Sequence, residues 1–412
     1  MASKRKNKKE YSVGLDIGTS KVVCLIGEVQ ASGELNVLGF GEYPSKGLKR
    51  GVVVNIEAAV ESIAKAVQQA EEAAQLPVQT VYAGIAGSHI KSLNSHGIVA
   101  IGEAEVSSVD IDRVIDAARA VAIPAEQKIL HILPQEFTID HQDGIKDPVG
   151  MSGVRLEATV HIVTGAVGSV LNIEKCIRAC DLEPADIILE QLASSYAVLS
   201  EDEKELGVCL IDIGAGTTDI AIFVAGAVRH TSVIPVAGDQ VTNDLAIAFR
   251  MPTRNAEQMK VAHGHCFVQS AREEHFIDIE GFAGRSSRQI TELALAQVMQ
   301  PRYEELLLLI KHEIRRLGYE ELIPSGVVLT GGATQVQGLV ELAERIFDLP
   351  VRVGAPVNVI GDDSIKGNSQ CATVVGLLLY AHKQSMEGVQ GGSGSATVSF
   401  FRKIKLWLQG NM

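Results

Sequence analysis

Two aspartates, Asp16 and Asp212, each stand at the mouth of a short turn made of glycines and hydroxyl residues, and the two turns are near copies. Leu15-Asp16-Ile17-Gly18-Thr19-Ser20-Lys21 returns, a domain's length later, as Ile211-Asp212-Ile213-Gly214-Ala215-Gly216-Thr217-Thr218-Asp219. Glycine lets backbone approach an anion with no Cβ in the way, and the amides and hydroxyls of such turns donate to phosphate oxygens. Gly18, Thr19, Ser20, Gly214, Ala215, Gly216, Thr217 and Thr218 are the candidate phosphate donors. A carboxylate beside a polyphosphate repels it unless a cation lies between, so Asp16 and Asp212 are expected to hold a water-coordinated Mg²⁺. Lys21 can add a compact positive charge; the competing reading is a solvated strand lysine. One such turn is ordinary, but two copies point to paired lobes gripping one nucleotide.

A third piece lies later. Ser325-Gly326-Val327-Val328-Leu329-Thr330-Gly331-Gly332-Ala333-Thr334 is an apolar strand ending in a double glycine, and Leu339, Leu342, Ala343, Ile346 and Phe347 follow at helical spacing. Here the chain resembles the actin, heat-shock chaperone and sugar-kinase superfamily, over roughly residues 10–382. The resemblance implies that Gly331, Gly332 and Ala333 back the adenosine of ATP. Asn255-Ala256-Glu257-Gln258-Met259-Lys260 resembles the helix of the bacterial actin MreB in which a Glu and a Lys reach the nucleoside, which assigns Glu257 and Lys260. An i, i+3 surface ion pair is the alternative. Leu189-Glu190-Gln191-Leu192-Ala193-Ser194-Ser195-Tyr196-Ala197 is similar to the Glu-Pro-x-Ala-Ala segment linking the lobes in the same relatives. Glu190 is therefore the catalytic candidate, orienting an attacking water. Gln191 replaces the proline and Ser194-Ser195 the alanines, so at most a slow ATPase is expected.

These residues need strands to hold them. β-prone runs flank both turns, which makes each a hairpin. The fold class is α/β: an actin-like two-lobe fold of duplicated ribonuclease-H-like lobes, with a subdomain inserted in each. The first lobe core is expected at 10–85, 161–205 and 361–383, reopening with a strand at 160–164. Its insertion takes 86–160, with a helix near 110–120 and separate β-prone pieces at 128–133 and 137–140. The second lobe core is expected at 206–238 and 302–360, with a long helix at 303–316, and its insertion at 239–301. A Gly/Ser linker at 384–397 leads to a last helix at 398–412.

That last segment is amphipathic. Phe400, Phe401, Ile404, Trp407 and Leu408 share one helical face, and Arg402, Lys403 and Lys405 the other. It is far too short to span a bilayer and suits the interface of an anionic membrane. The net charge of −13 argues against general nucleic-acid binding. Six cysteines without a CxxC pair argue against zinc or disulfide frameworks. No long apolar run follows the basic N-terminal residues, so no signal peptide is read there.

The insertion narrows the family. Leu133-Pro134-Gln135-Glu136-Phe137, then Gly144-Ile145-Lys146-Asp147-Pro148-Val149-Gly150-Met151-Ser152-Gly153-Val154-Arg155-Leu156 and Val160-His161-Ile162-Val163-Thr164, resemble the FtsA family of bacterial cell-division proteins. The resemblance implies an SHS2-like insertion at 86–160, ATP with Mg²⁺, and self-assembly into actin-like filaments. It implies a peripheral place on the cytoplasmic face of the inner membrane at the septum. It also implies capture of the FtsZ C-terminal tail by the second-lobe insertion, and recruitment of later division proteins. Arg285 and Arg302 occupy the matching stretches and are the candidate receptors for that tail. The alternatives are a pilus-assembly adaptor resembling PilM and an ATP-dependent sugar-type kinase.

Overall fold

The computed structural model describes residues 11–279 and 286–390, apart from the side chains of 387–390. The chain opens with an antiparallel meander, β1 (Ser12–Ile17), β2 (Lys21–Val29) and β3 (Leu35–Pro44). α1 (Ile56–Ala74), capped where Asn55 accepts from Ala58 N, lays Ile63, Ala66, Val67 and Ala70 onto the sheet. β4 (Thr80–Ile85) then runs parallel to β1.

An inserted unit follows: β5 (Lys91–Ala100), α2 (Ser108–Arg119), β6 (Gln127–Ile139), β7 (Gln142–Ile145) and β8 (Arg155–Ala166). Its sheet order is β5-β8-β6-β7, and Ile111, Val114, Ile115, Phe137, Leu156 and Ile162 form its own core. The first lobe resumes with α3 (Val167–Arg178), β9 (Glu183–Leu189) and α4 (Glu190–Val198).

The second lobe repeats the plan. β10 (Val208–Ile213), β11 (Thr218–Val224) and β12 (Ala227–Ile234) form a meander, followed by α5 (Gly238–Ala248), α6 (Thr253–His263) and α7 (Glu292–Arg316). β13 (Val327–Thr330) pairs parallel to β10, and α8 (Leu339–Phe347) leads to β14 (Val351–Val353). β15 (Val359–Ile360) crosses back to β3, and α9 (Ala372–Gln390) packs on β1, β2 and α4. The sheets read β9-β4-β1-β2-β3-β15 and β12-β11-β10-β13-β14. In each, a meander lies on one side of the first strand and parallel strands on the other.

Four expectations differ. Val160 to Thr164 do not reopen the first lobe; they are the second half of β8, laddered to β5 and β6. A register shift between Thr159 and Val160 interrupts the pattern without ending the strand, and the pieces expected at 128–133 and 137–140 are one strand, β6. The helix expected from 303 begins at Glu292, capped by Thr291, and runs through Pro301. Proline forfeits one donor, but Met299, Tyr303, Leu306, Leu307 and Ile310 make one continuous buried stripe that holds the helix together. The linker expected from 384 is still helical to Gln390.

The inserted sheet is joined to the second lobe by side chains. β12 is an edge strand, and its outward carbonyls are taken by Ser92 Oγ (to Thr231 O, 2.8 Å) and Gln135 Nε2 (to Val228 O, 2.8 Å). His161 bridges Asn94 Oδ1 at 2.7 Å and Thr231 Oγ1 at 2.9 Å. Burial first, then His230, pushes His161 down to about 3, so it is neutral: Nδ1–H donates to Asn94 and Nε2 accepts from Thr231.

Candidate functional site

Alternation along β10 decides where the second aspartate points. Cys209, Ile211 and Ile213 face the core beneath α5, α7 and α8, whereas Val208 and Leu210 pack into the first-lobe core. Asp212 shares the latter face. In the β10–β11 ladder it pairs directly with Asp219, so the hairpin sets two carboxylates side by side toward the first lobe. Asp219 ends the second motif, and its sequence signal is its symmetry with Asp212 about the turn.

The two turns meet. A Cβ on Gly216 would lie 2.6 Å from Thr19 Oγ1 and 2.9 Å from Arg50 Cα, so the second turn presses on the first. Thr19 Oγ1 accepts from Gly51 N at 3.1 Å, which leaves its own proton free to donate. Gly214 N donates to Thr217 O (3.0 Å), closing the second turn. Gly214 O and Ala215 O accept from Gly238 N and Asp239 N, which ties that turn to the positive end of α5. Gly18 lies at the first turn and Ser20 is exposed beside it. Lys21 Nζ is shared between Glu42 Oε2 and Gln370 Oε1, both at 2.8 Å. Thr218 departs from expectation at its hydroxyl, which donates to Val236 O at 2.8 Å within a fully buried side chain and so is already committed.

The remaining elements line up on the second-lobe side. Gly331 (φ 91°) abuts Asp212 Oδ1 with no room for a Cβ, which explains a glycine there. A Cβ on Gly238 would lie 3.3 Å from Lys260 Nζ and 3.4 Å from Ala333 Cβ, so α5, α6 and the double-glycine turn converge. Lys260 pairs with Glu257 at 2.7 Å and donates to Thr242 Oγ1 at 2.9 Å, while the Thr242 hydroxyl bonds Glu257. Thr242 had no sequence signal. Tyr303 Oη anchors Ala333 O at 3.0 Å, and Gln370 packs over Gly332.

The electrostatics are one-sided. Burial, then Asp212, pushes Asp16 up to about 7; burial, then Asp212, pushes Asp219 up to about 8. Burial, then Asp16, raises Glu190 well above the usual carboxylate range. Burial raises Asp212 too, against hydrogen bonds from Ser194 and Thr373. Lys21 is the cation that counters Asp16. Asp219 Oδ1 is buried without a hydrogen-bond partner. A buried acceptor facing other carboxylates is a place for a cation and its waters. Among the described residues no group of three or more His, Cys, Asp and Glu is placed to hold a metal ion.

Arg302 lies on α7 with part of its side chain exposed. It forks onto Asp244 (Nε to Oδ2 2.7 Å, Nη2 to Oδ1 3.1 Å) and bonds Glu305, so its charge is committed to clamping α7 against α5. Arg285, Phe400, Phe401, Arg402, Lys403, Ile404, Lys405, Trp407 and Leu408 lie outside the described residues.

Residues 209–376 match the family model for "Cell division protein FtsA", and residues 87–164 match the model for the SHS2 domain inserted in FtsA. A relative described as cell division protein FtsA, from Pseudomonas aeruginosa, is 55% identical over 406 residues, covering 97% of each chain. One of the same description from Escherichia coli K12 is 41% identical over 411 residues, covering 97% of this chain and 98% of the relative. Among solved structures, the PilM–PilN type IV pilus biogenesis complex matches with a TM-score of 0.66 at 16% identity, covering 90% of this chain and 98% of the other. MreB 5 of Spiroplasma citri bound to AMPPNP matches with a TM-score of 0.59 at 14% identity, covering 94% and 100%. The fold is therefore actin-like, with an SHS2 domain inserted in its first lobe.

Proposed function

The chain belongs to the FtsA family of cell division proteins, and on that premise we propose that it is an ATP-binding, polymerising adaptor that tethers the FtsZ ring to the cytoplasmic face of the inner membrane at the septum. ATP lies between the lobes, its phosphates on the amides of both turns and the hydroxyls of Thr19, Ser20 and Thr217, with Lys21 beside them. Gly331, Gly332 and Ala333 back the adenosine, and Glu257 and Lys260 reach its sugar side. Mg²⁺, when bound through water to Asp16 and Asp212, offsets the repulsion between carboxylates and phosphates. Glu190 orients a water, and turnover is slow. The observation that carries this reading is the meeting of Thr19 with Gly216 beside the paired Asp212 and Asp219.

The amphipathic C-terminal segment, 398–412, anchors the chain. No described helix is long and apolar enough to cross a membrane. Five apolar side chains at roughly 1.5–3 kcal/mol each when fully buried give reversible attachment once ordering is subtracted. Many copies in one filament hold far longer by multivalency. The second-lobe insertion, with Arg285 as candidate cation, takes the acidic FtsZ tail, and the assembled filament recruits later division proteins. The curated relatives span nearly the whole chain, which favours this reading over a pilus-assembly adaptor or a kinase. Electron microscopy of the protein on anionic lipid monolayers tests it. Ordered filaments with ATP, absent once 398–412 are deleted, are expected; a bare monolayer in every condition would reject it.

A further inference from the structure

Asp212 belongs to a second-lobe strand, yet one of its oxygens is held by the first lobe. Ser194 Oγ, on α4, donates to Asp212 Oδ2 at 2.7 Å. Thr373 Oγ1, on α9, lies 3.0 Å from Ser194 Oγ and donates to the same Oδ2 at 3.4 Å. Ser194 is 0% exposed and Thr373 7%. The other oxygen, Oδ1, rests against Gly331, so both ends of the carboxylate are fixed. The two hydroxyls are carried on a stiff pair of helices. Gly376 of α9 meets Ala193 O of α4 with no space for a side chain, one helical turn beyond Thr373 and next to Ser194.

We propose that Ser194 and Thr373 are positioning residues that aim the Asp212 carboxylate at the nucleotide's cation, and that they do so only while the lobes are closed. A separation of even about 1 Å takes both contacts out of hydrogen-bond range. Lobe opening then removes both hydroxyls from Asp212, so its carboxylate can turn away and its hold on the ion loosens. The inference rests on the Mg²⁺–ATP reading above. Ser195 supplies an internal control. It is as buried as its neighbour, at 1% exposed, but donates to Leu192 O within its own helix.

The test uses the full chain and compares Ser194→Ala, Thr373→Val and Ser195→Ala with the parent. ATP affinity is measured by calorimetry in Mg²⁺ and in EDTA, and the paramagnetic resonance spectrum of Mn²⁺ is recorded with ATP bound. Ser194→Ala is expected to lose about tenfold in Mg²⁺-dependent affinity, the scale of one hydrogen bond to a charged group, with affinity in EDTA unchanged. Thr373→Val should lose less, both should alter the Mn²⁺ spectrum, and Ser195→Ala should behave as the parent. Wild-type Mg²⁺ dependence in both first variants, an equal loss in EDTA, or the same loss from Ser195→Ala would each overturn the proposal. A parent protein that binds no ATP in Mg²⁺ would instead bring down the nucleotide reading and this inference with it.

Discussion

Thr19 and Gly216 touch across the lobe boundary, the hydroxyl of one turn filling the space where the other has no side chain. A Gly216→Ala substitution wedges the turns apart, since its Cβ would sit 2.6 Å from Thr19 Oγ1 and 2.9 Å from the Arg50 backbone. ATP affinity is expected to fall about tenfold by calorimetry, in keeping with the cost of overpacking a tight site. Adding Thr19→Ala should recover part of the loss; full affinity in the single variant would mean the turns do not close on the ligand.

The clustered carboxylates predict a pH dependence. An unfolded aspartate ionises at about 4, whereas Asp219 does so at about 8 and Asp16 at about 7. Between those values the folded chain keeps protons that the unfolded chain has lost. The stability present below the unfolded value is therefore drained as pH rises through the folded ones. Nucleotide-free protein in EDTA should melt higher at about pH 5 than at about pH 8, and Asp219→Asn should shrink the gap. Coincident melting profiles for parent and variant would contradict it.

The paired turns were legible because their chemistry is local: residue type and spacing specify a hairpin, and hairpin symmetry places Asp219 opposite Asp212. The duplicated sheets followed from that. What escaped was whatever depends on residues far apart in sequence. Ser194 and Thr373 meet at one carboxylate from two helices, and no spacing rule joins them. The pairing of Arg302 with Asp244 escaped because the two lie on different helices. Pro301 read as a boundary because the buried stripe that overrides it is a property of packing.

Gln135 gives a stability prediction. Its buried amide donates to Val228 O and lies 3.3 Å from Asn94 Oδ1, holding the inserted unit to the second lobe. Gln135→Ala should cost about 1–3 kcal/mol in urea unfolding, because Val228 O is left without its donor. A change near zero would show that water replaces the amide freely.

Arg302→Glu sets a third carboxylate against Asp244 and Glu305. The melting temperature should drop by several degrees whether or not a partner peptide is present. Binding of an acidic FtsZ tail peptide should weaken no further than Asp244→Asn weakens it. A selective loss of binding at unchanged melting temperature would make Arg302 a direct receptor.

Trp407→Glu should release the full chain from anionic vesicles in a pelleting assay while leaving ATP affinity unaltered, since the tail lies beyond a Gly/Ser-rich stretch. Undiminished pelleting would remove the anchor from the account.

The side chains of Ser92, Asn94 and Gln135 have one more effect. An open sheet rim is a template on which a foreign strand can crystallise, the usual start of runaway fibre growth. Here the Val228, Arg229 and Thr231 carbonyls of the rim at β12 already accept from amide and hydroxyl donors of the same molecule. In the filament proposed above, contacts between copies would then run through other surfaces, with this rim guarded against stray strand pairing.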